Sequence, residues 1–123
     1  MTVQELYRQI DGDYEAVKKI MMSDGMISRF VVKLAEDRSY EALAAAGKSM
    51  DPTALFSAAH TMKGVAANLG LTKLSGMASE ITEEFRPGTE RRMSDAEVGE
   101  KLEEIRALYE RTLEGIRVFA ATN

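Results

Sequence analysis

"DPTALFSAAHTMKGVAANLG", residues 51–70, reads as one complete helix with a start, a buried face and a stop. Asp51 can accept hydrogen bonds from the free N–H groups of a first turn, and Pro52 loses nothing at the first helical position. Leu55, Ala59, Met62, Ala66 and Leu69 recur at spacings of 4, 3, 4 and 3, which draws one apolar stripe along the helix. Gly70 suits the left-handed position that ends it. At 100° per residue, His60 falls about 120–140° from the centre of the stripe, so its ring faces solvent or the bundle edge. Its helical neighbours are Phe56 and Ser57 before it and Lys63, Gly64 and Ala67 after it. Gly64 costs about 1 kcal/mol against alanine in a helix interior. That cost has a use if something must approach the helix closely there.

The text on either side is helical too. Val3, Leu6, Tyr7 and Ile10 form one stripe, Asp11–Gly12 interrupts it, and Tyr14, Val17, Ile20 and Met21 form another, as one helix or two short ones. "SDG" at 23–25 is expected to break the chain. Ile27, Phe30, Val31 and Leu34 open the next helix, followed by Tyr40, Leu43 and Ala44. The seam jumps between Leu34 and Tyr40, which predicts a kink or break near 37–39. After Gly70 a helix starts around Leu71–Thr72, buries Leu74, Met77, Ala78, Ile81 and Phe85, and ends at Pro87–Gly88. "SDAE" at 94–97 is a capping box, with Ser94 as cap and Glu97 reaching back. Val98, Leu102, Ile105, Tyr109, Thr112, Ile116 and Phe119 are the seam of a long last helix. No segment sustains period-two alternation, so no strand is expected. The fold class is therefore all-α. One domain spans 1–123: an antiparallel four-helix bundle over 26–120, with an additional N-terminal helical segment over 1–24.

Composition narrows the function. The chain has 123 residues, 45% of them hydrophobic, enough for one real core. It has no cysteine and a single histidine, so there is no disulfide framework or thiolate zinc site, and neither cofactor nor metal is expected. The net charge of −4 argues against nucleic acid as a partner. No signal peptide and no apolar run approaching the ~20 residues of a membrane span are present, so a cytoplasmic protein free of the membrane is expected. Between 48 and 79, Lys48, Lys63 and Lys73 are opposed only by Asp51. Such a basic patch around His60 points to a small anionic target. A bundle that closes its own seams needs no second copy, so a monomer is expected.

The chemistry centres on His60. Neutral imidazole is a nucleophile at physiological pH and can attack an electrophilic phosphorus. Lys63, one turn on, can bring an ammonium to the oxygens on which charge builds. A lone surface histidine, a lysine at i+3 or a helical glycine is by itself ordinary. Their conjunction is more specific. Other phosphate chemistry is poorly represented. Gly64 and Gly70 do not form a G-x-x-x-x-G-K-[ST] loop, "DGDYE" at 11–15 does not follow a calcium loop, and no G-x-S-x-G elbow occurs. Eight methionines are many for this length, but Met62 and Met77 fall on core stripes.

"AHTMKGVAANLG" resembles the signature of the histidine-containing phosphotransfer (HPt) domains of bacterial phosphorelays, H-x-[hydrophobic]-K-G-x-x-x-x-x-G. His60, Thr61, Met62, Lys63, Gly64 and Gly70 fall on it in register, and Leu74 fits the family's hydrophobic position downstream. The resemblance implies that His60 accepts a phosphoryl group from a receiver-domain aspartate, or passes one to it. Lys63 would then stabilise the phosphoryl group, and Ser57, Gly64 and Ala67 would form the docking shelf. The implied partners are response-regulator receiver domains and a hybrid sensor histidine kinase, with magnesium only in the receiver. The chain is expected to be a stand-alone carrier without kinase or hydrolase activity of its own. Two alternatives stay open: a helical adaptor that binds receivers without carrying phosphate, and the histidine domain of a chemotaxis-type kinase. The group that orients the His60 ring is expected from another helix, with Ser57 only a modest candidate on its own.

Overall fold

The computed structural model describes residues 1–122, and among them every regular element is a helix. The order is α1 (Val3–Gln9), α2 (Tyr14–Met21), α3 (Asp24–Val32), a 3₁₀ turn (Lys33–Glu36), α4 (Ser39–Ser49), α5 (Pro52–Asn68), α6 (Thr72–Glu84) and α7 (Asp95–Thr122). Helices α4 to α7 form the four-helix bundle; α1 and α3 pack on α7, and α2 packs on α1 and α3.

Local chemistry sets the ends. Asp51 accepts from the Thr53 N–H at 3.3 Å, with Pro52 in the first turn. Ser94 and Glu97 cap α7 reciprocally at 3.1 Å each. Gly70 takes φ +68°, and a Cβ there would lie 2.7 Å from Val17 Cβ and 2.8 Å from the Asp13 carbonyl oxygen. Only glycine fits that turn, which folds α6 back on α5. The break expected near 37–39 is real: α3 stops at Val32, the 3₁₀ turn follows, and α4 starts at Ser39.

The α5 stripe Leu55, Ala59, Met62, Ala66 and Leu69 is buried throughout, as are Leu74, Ala78, Ile81 and Phe85 on α6 and its C-terminal cap. Tyr40 of α4 stacks on Tyr109 of α7 at 4.4 Å between centroids and closes the ring of helices. The N-terminal segment clamps the α5–α6 turn. Buried Tyr7 donates its hydroxyl to the Leu69 carbonyl at 2.5 Å, and the Asp13 N–H donates to the Gly70 carbonyl at 2.7 Å.

Several expectations need correction. "SDG" does not break the chain. Ser23 is the N-cap of α3 and accepts from the Met26 N–H, while Asp24 and Gly25 lie in its first turn. The break falls at Met22, in the left-handed region at φ 72°. In the second N-terminal stripe Val17 is buried and Tyr14 and Met21 pack half-buried against the core, but Ile20 is 54% exposed because α2 lies on the outside of the molecule. Phe30 sits at the edge of its seam, 37% exposed, because Ile27 and Val31 take the inward positions; the Lys33 ammonium lies 5.1 Å from its ring. Met77 and Leu102 are only half-buried, and Leu108 joins the α7 seam.

Candidate functional site

The middle of α5 presents His60 to solvent, as its angle from the buried stripe requires. Ser57, Gly64 and Ala67 are exposed on the same face and Lys63 is half-buried beside it. A methyl group added at Gly64 would meet nothing within 4 Å, so packing does not demand glycine there. The helix is held firm despite it. The Ser75 hydroxyl on α6 donates to the Lys63 carbonyl at 3.1 Å, which stitches the two helices together next to the glycine. Thr61 turns its hydroxyl back to the Ser57 carbonyl at 3.0 Å.

No hydrogen bond reaches the imidazole from any described side chain, Ser57 included. The ring contact it does make is aromatic and comes from its own helix. The Phe56 ring, one turn earlier, lies 5.8 Å from the imidazole centroid with 13° between the planes. The Arg86 guanidinium, just beyond α6, lies 5.4 Å from the centre of that same phenyl ring. Arg86 is held in turn by Glu83, whose carboxylate accepts from Nε at 2.7 Å and Nη2 at 3.3 Å. The Arg86 guanidinium, first, and then the positive fields of Lys63 and His60 keep the Glu83 carboxyl below its usual range. Lys63 itself forms no ion pair with a described carboxylate, so its ammonium is available for an incoming anion.

The linear basic patch does not gather in space. Lys73 turns to Asp11 at 3.8 Å, and Lys48 lies on α4 along the groove shared with Leu102 and Glu103 of α7. Positive charge around His60 comes from Lys63 and Arg86. Arg86, Glu83 and the stacking role of Phe56 were missed from sequence. Folding the chain back at Gly70 sets the second half of α6 beside His60, and that was the signal available for the first two. The link after α6 is fixed by buried Glu84, which accepts from the Arg92 and Met93 N–H groups at 2.9 and 2.7 Å. Among the described residues no cluster of three or more histidine or carboxylate groups is arranged to hold a metal ion, and no helix is long and apolar enough to cross a membrane.

The helical bundle thus exposes the imidazole of His60 on α5, with Lys63 three residues on and the small residues Ser57, Gly64 and Ala67 on the same face. The model of the Hpt domain family matches residues 25–115, and the chain belongs to that family. Helices α1 and α2 lie outside the matched span. No curated protein and no solved structure gives a significant match. Membership gives the domain a general role in phosphorelay signalling by histidine phosphotransfer, as a carrier rather than a conventional enzyme.

Proposed function

We propose that His60 is the phosphoryl carrier of this domain and exchanges its cargo with aspartates of response-regulator receiver domains. The observation that carries the reading is the open imidazole, stacked on Phe56 with the Lys63 ammonium one helical turn away, in a chain of the Hpt family.

The lone pair of one ring nitrogen attacks the phosphorus of the receiver's acyl phosphate. An N–P bond forms as the bond from phosphorus to the aspartate oxygen breaks, and the aspartate leaves as carboxylate. The proton on the other ring nitrogen stays there or passes to water. Transfer in the opposite direction reverses each step. Charge builds on the phosphoryl oxygens, and Lys63 neutralises it. Ser57, Gly64 and Ala67 let the partner's aspartate come within bonding distance. Any magnesium belongs to the receiver. A hybrid sensor kinase is the upstream source, and the domain acts as a monomer because its helices close their own core.

The test is incubation with a phosphorylated receiver domain, following acid-labile, base-stable label. The wild-type domain takes the label and a His60→Gln variant does not. Binding without label in either protein would replace the carrier reading with a receiver-binding adaptor.

A further inference from the structure

We propose that Glu83 and Arg86 form an exchangeable latch at the phosphoryl site: Glu83 holds Arg86 over Phe56 while His60 is free, and a phosphoryl group on His60 takes Arg86 for itself. The inference rests on the carrier reading above and adds to it a second cation and the residue that restrains it.

The geometry supplies the parts. The guanidinium is one ring away from the imidazole, with Phe56 stacked against His60 on one hand and lying near Arg86 on the other. The restraint is light. The Glu83 and Arg86 side chains are 57% and 44% exposed, and an exposed ion pair of this kind is weak and easily exchanged. A phosphoryl group offers nearly twice the charge of a carboxylate and three acceptor oxygens, which suits the planar guanidinium fork better than one carboxylate does. Glu83 grips the guanidinium that lies against Phe56, the ring stacked on His60, so its carboxylate belongs to the same edge of the site and opposes negative charge arriving there. Phosphorylation therefore repels Glu83 and attracts Arg86 in one event. No bond is made or broken in the exchange beyond hydrogen bonds, and Arg86 stays protonated throughout. Rotation about its own side-chain torsions carries it from one anion to the other. Lys63 remains the fixed cation of the site and Arg86 becomes the recruited one.

Phosphoramidate, a small phosphoryl donor, tests the latch without a receiver. Both residues are exposed, so Arg86→Ala, Arg86→Lys and Glu83→Gln should retain the helical circular dichroism of the parent. Labelling of His60 is expected to slow by up to about fivefold in Arg86→Ala, to recover in part in Arg86→Lys, and to quicken by a similar factor in Glu83→Gln. The Arg86 Nε–H resonance in ¹⁵N spectra should move when the wild-type protein is phosphorylated, a change that a merely structural bridge would not show. If wild type labels at His60 but the variants label at its rate and the resonance stays still, the latch alone is overturned. If wild type takes no label at His60, the carrier reading falls and the latch falls with it.

Discussion

Phe56 and His60 lie near-parallel across one turn of α5, centroids 5.8 Å apart and planes 13° from parallel. If this contact aims the imidazole, it does so where a hydrogen-bonding partner would be expected. Stacked aromatic pairs contribute about 0.5–1.5 kcal/mol beyond their buried area. Phe56→Leu keeps an apolar side chain on the half-buried position and removes the platform. Transfer of label to His60 should fall by about threefold to tenfold, with little change in thermal midpoint. A rate equal to wild type would show that the stack aims nothing.

Gly64 and Gly70 separate what glycine does for docking from what it does for folding. Nothing lies within 4 Å of a Cβ at Gly64, whereas one at Gly70 collides with Val17 and the Asp13 carbonyl at positive φ. Gly64→Ala should therefore stabilise the protein by about 1 kcal/mol in urea unfolding. Gly64→Leu should fold equally well yet block transfer by holding the partner off. Gly70→Ala should lose about 2–4 kcal/mol, from the left-handed backbone and the overpacking together. Normal transfer in Gly64→Leu would mean that no partner comes close there.

Lys63 has no carboxylate partner to lose, so Lys63→Ala isolates its action on the phosphoryl group. Charge stabilisation that grows during transfer affects rate more than binding. Transfer should slow by about tenfold or more while the affinity for an unphosphorylated receiver changes by less than about twofold. Equal rates for the variant and wild type, measured by rapid quench, would remove Lys63 from the mechanism.

The bundle was legible because its signals are local. The stripe from Leu55 to Leu69, the Asp51–Pro52 start, the Gly70 stop and the Ser94–Glu97 box each depend on neighbours within a turn or two, and each takes the predicted form. The exposure of His60 followed from the same helical geometry. What escaped depends on contacts between segments. Phe30 and Ile20 have apolar side chains at plausible seam positions, but both lie at the edge of the packing and stay partly exposed, and sequence periodicity does not say where a bundle runs out of neighbours. Lys73 pairs with Asp11 and Lys48 lies on α4 along the groove with α7, though both are close to His60 in sequence, whereas Arg86 and Glu83 are distant in sequence and arrive through the hairpin.

Tyr7 links the N-terminal segment to the helix that carries His60, and its protonation makes that link sensitive to alkali. Its hydroxyl is buried, donates to the Leu69 carbonyl at 2.5 Å, and is pushed well above the usual tyrosine range by that burial. In the unfolded chain the same hydroxyl ionises near pH 10. Below that pH both states keep the proton and the burial of Tyr7 stabilises the fold in full. Above it the unfolded state binds fewer protons than the folded one, so stability falls by up to about 1.4 kcal/mol per pH unit for each such group. The decline continues until the folded hydroxyl itself ionises. Tyr40 and Tyr109 are raised in the same direction, chiefly by burial, and add to the slope. Tyr7→Phe removes one titrating group and leaves the Leu69 carbonyl short of a donor. It should cost about 1–3 kcal/mol at pH 7.5. Its disadvantage against wild type should then shrink between pH 10 and 11, as wild type loses the larger share. Urea midpoints for both proteins at the two ends of that range check this, and a gap that stays constant would show that Tyr7 does not carry the alkaline sensitivity.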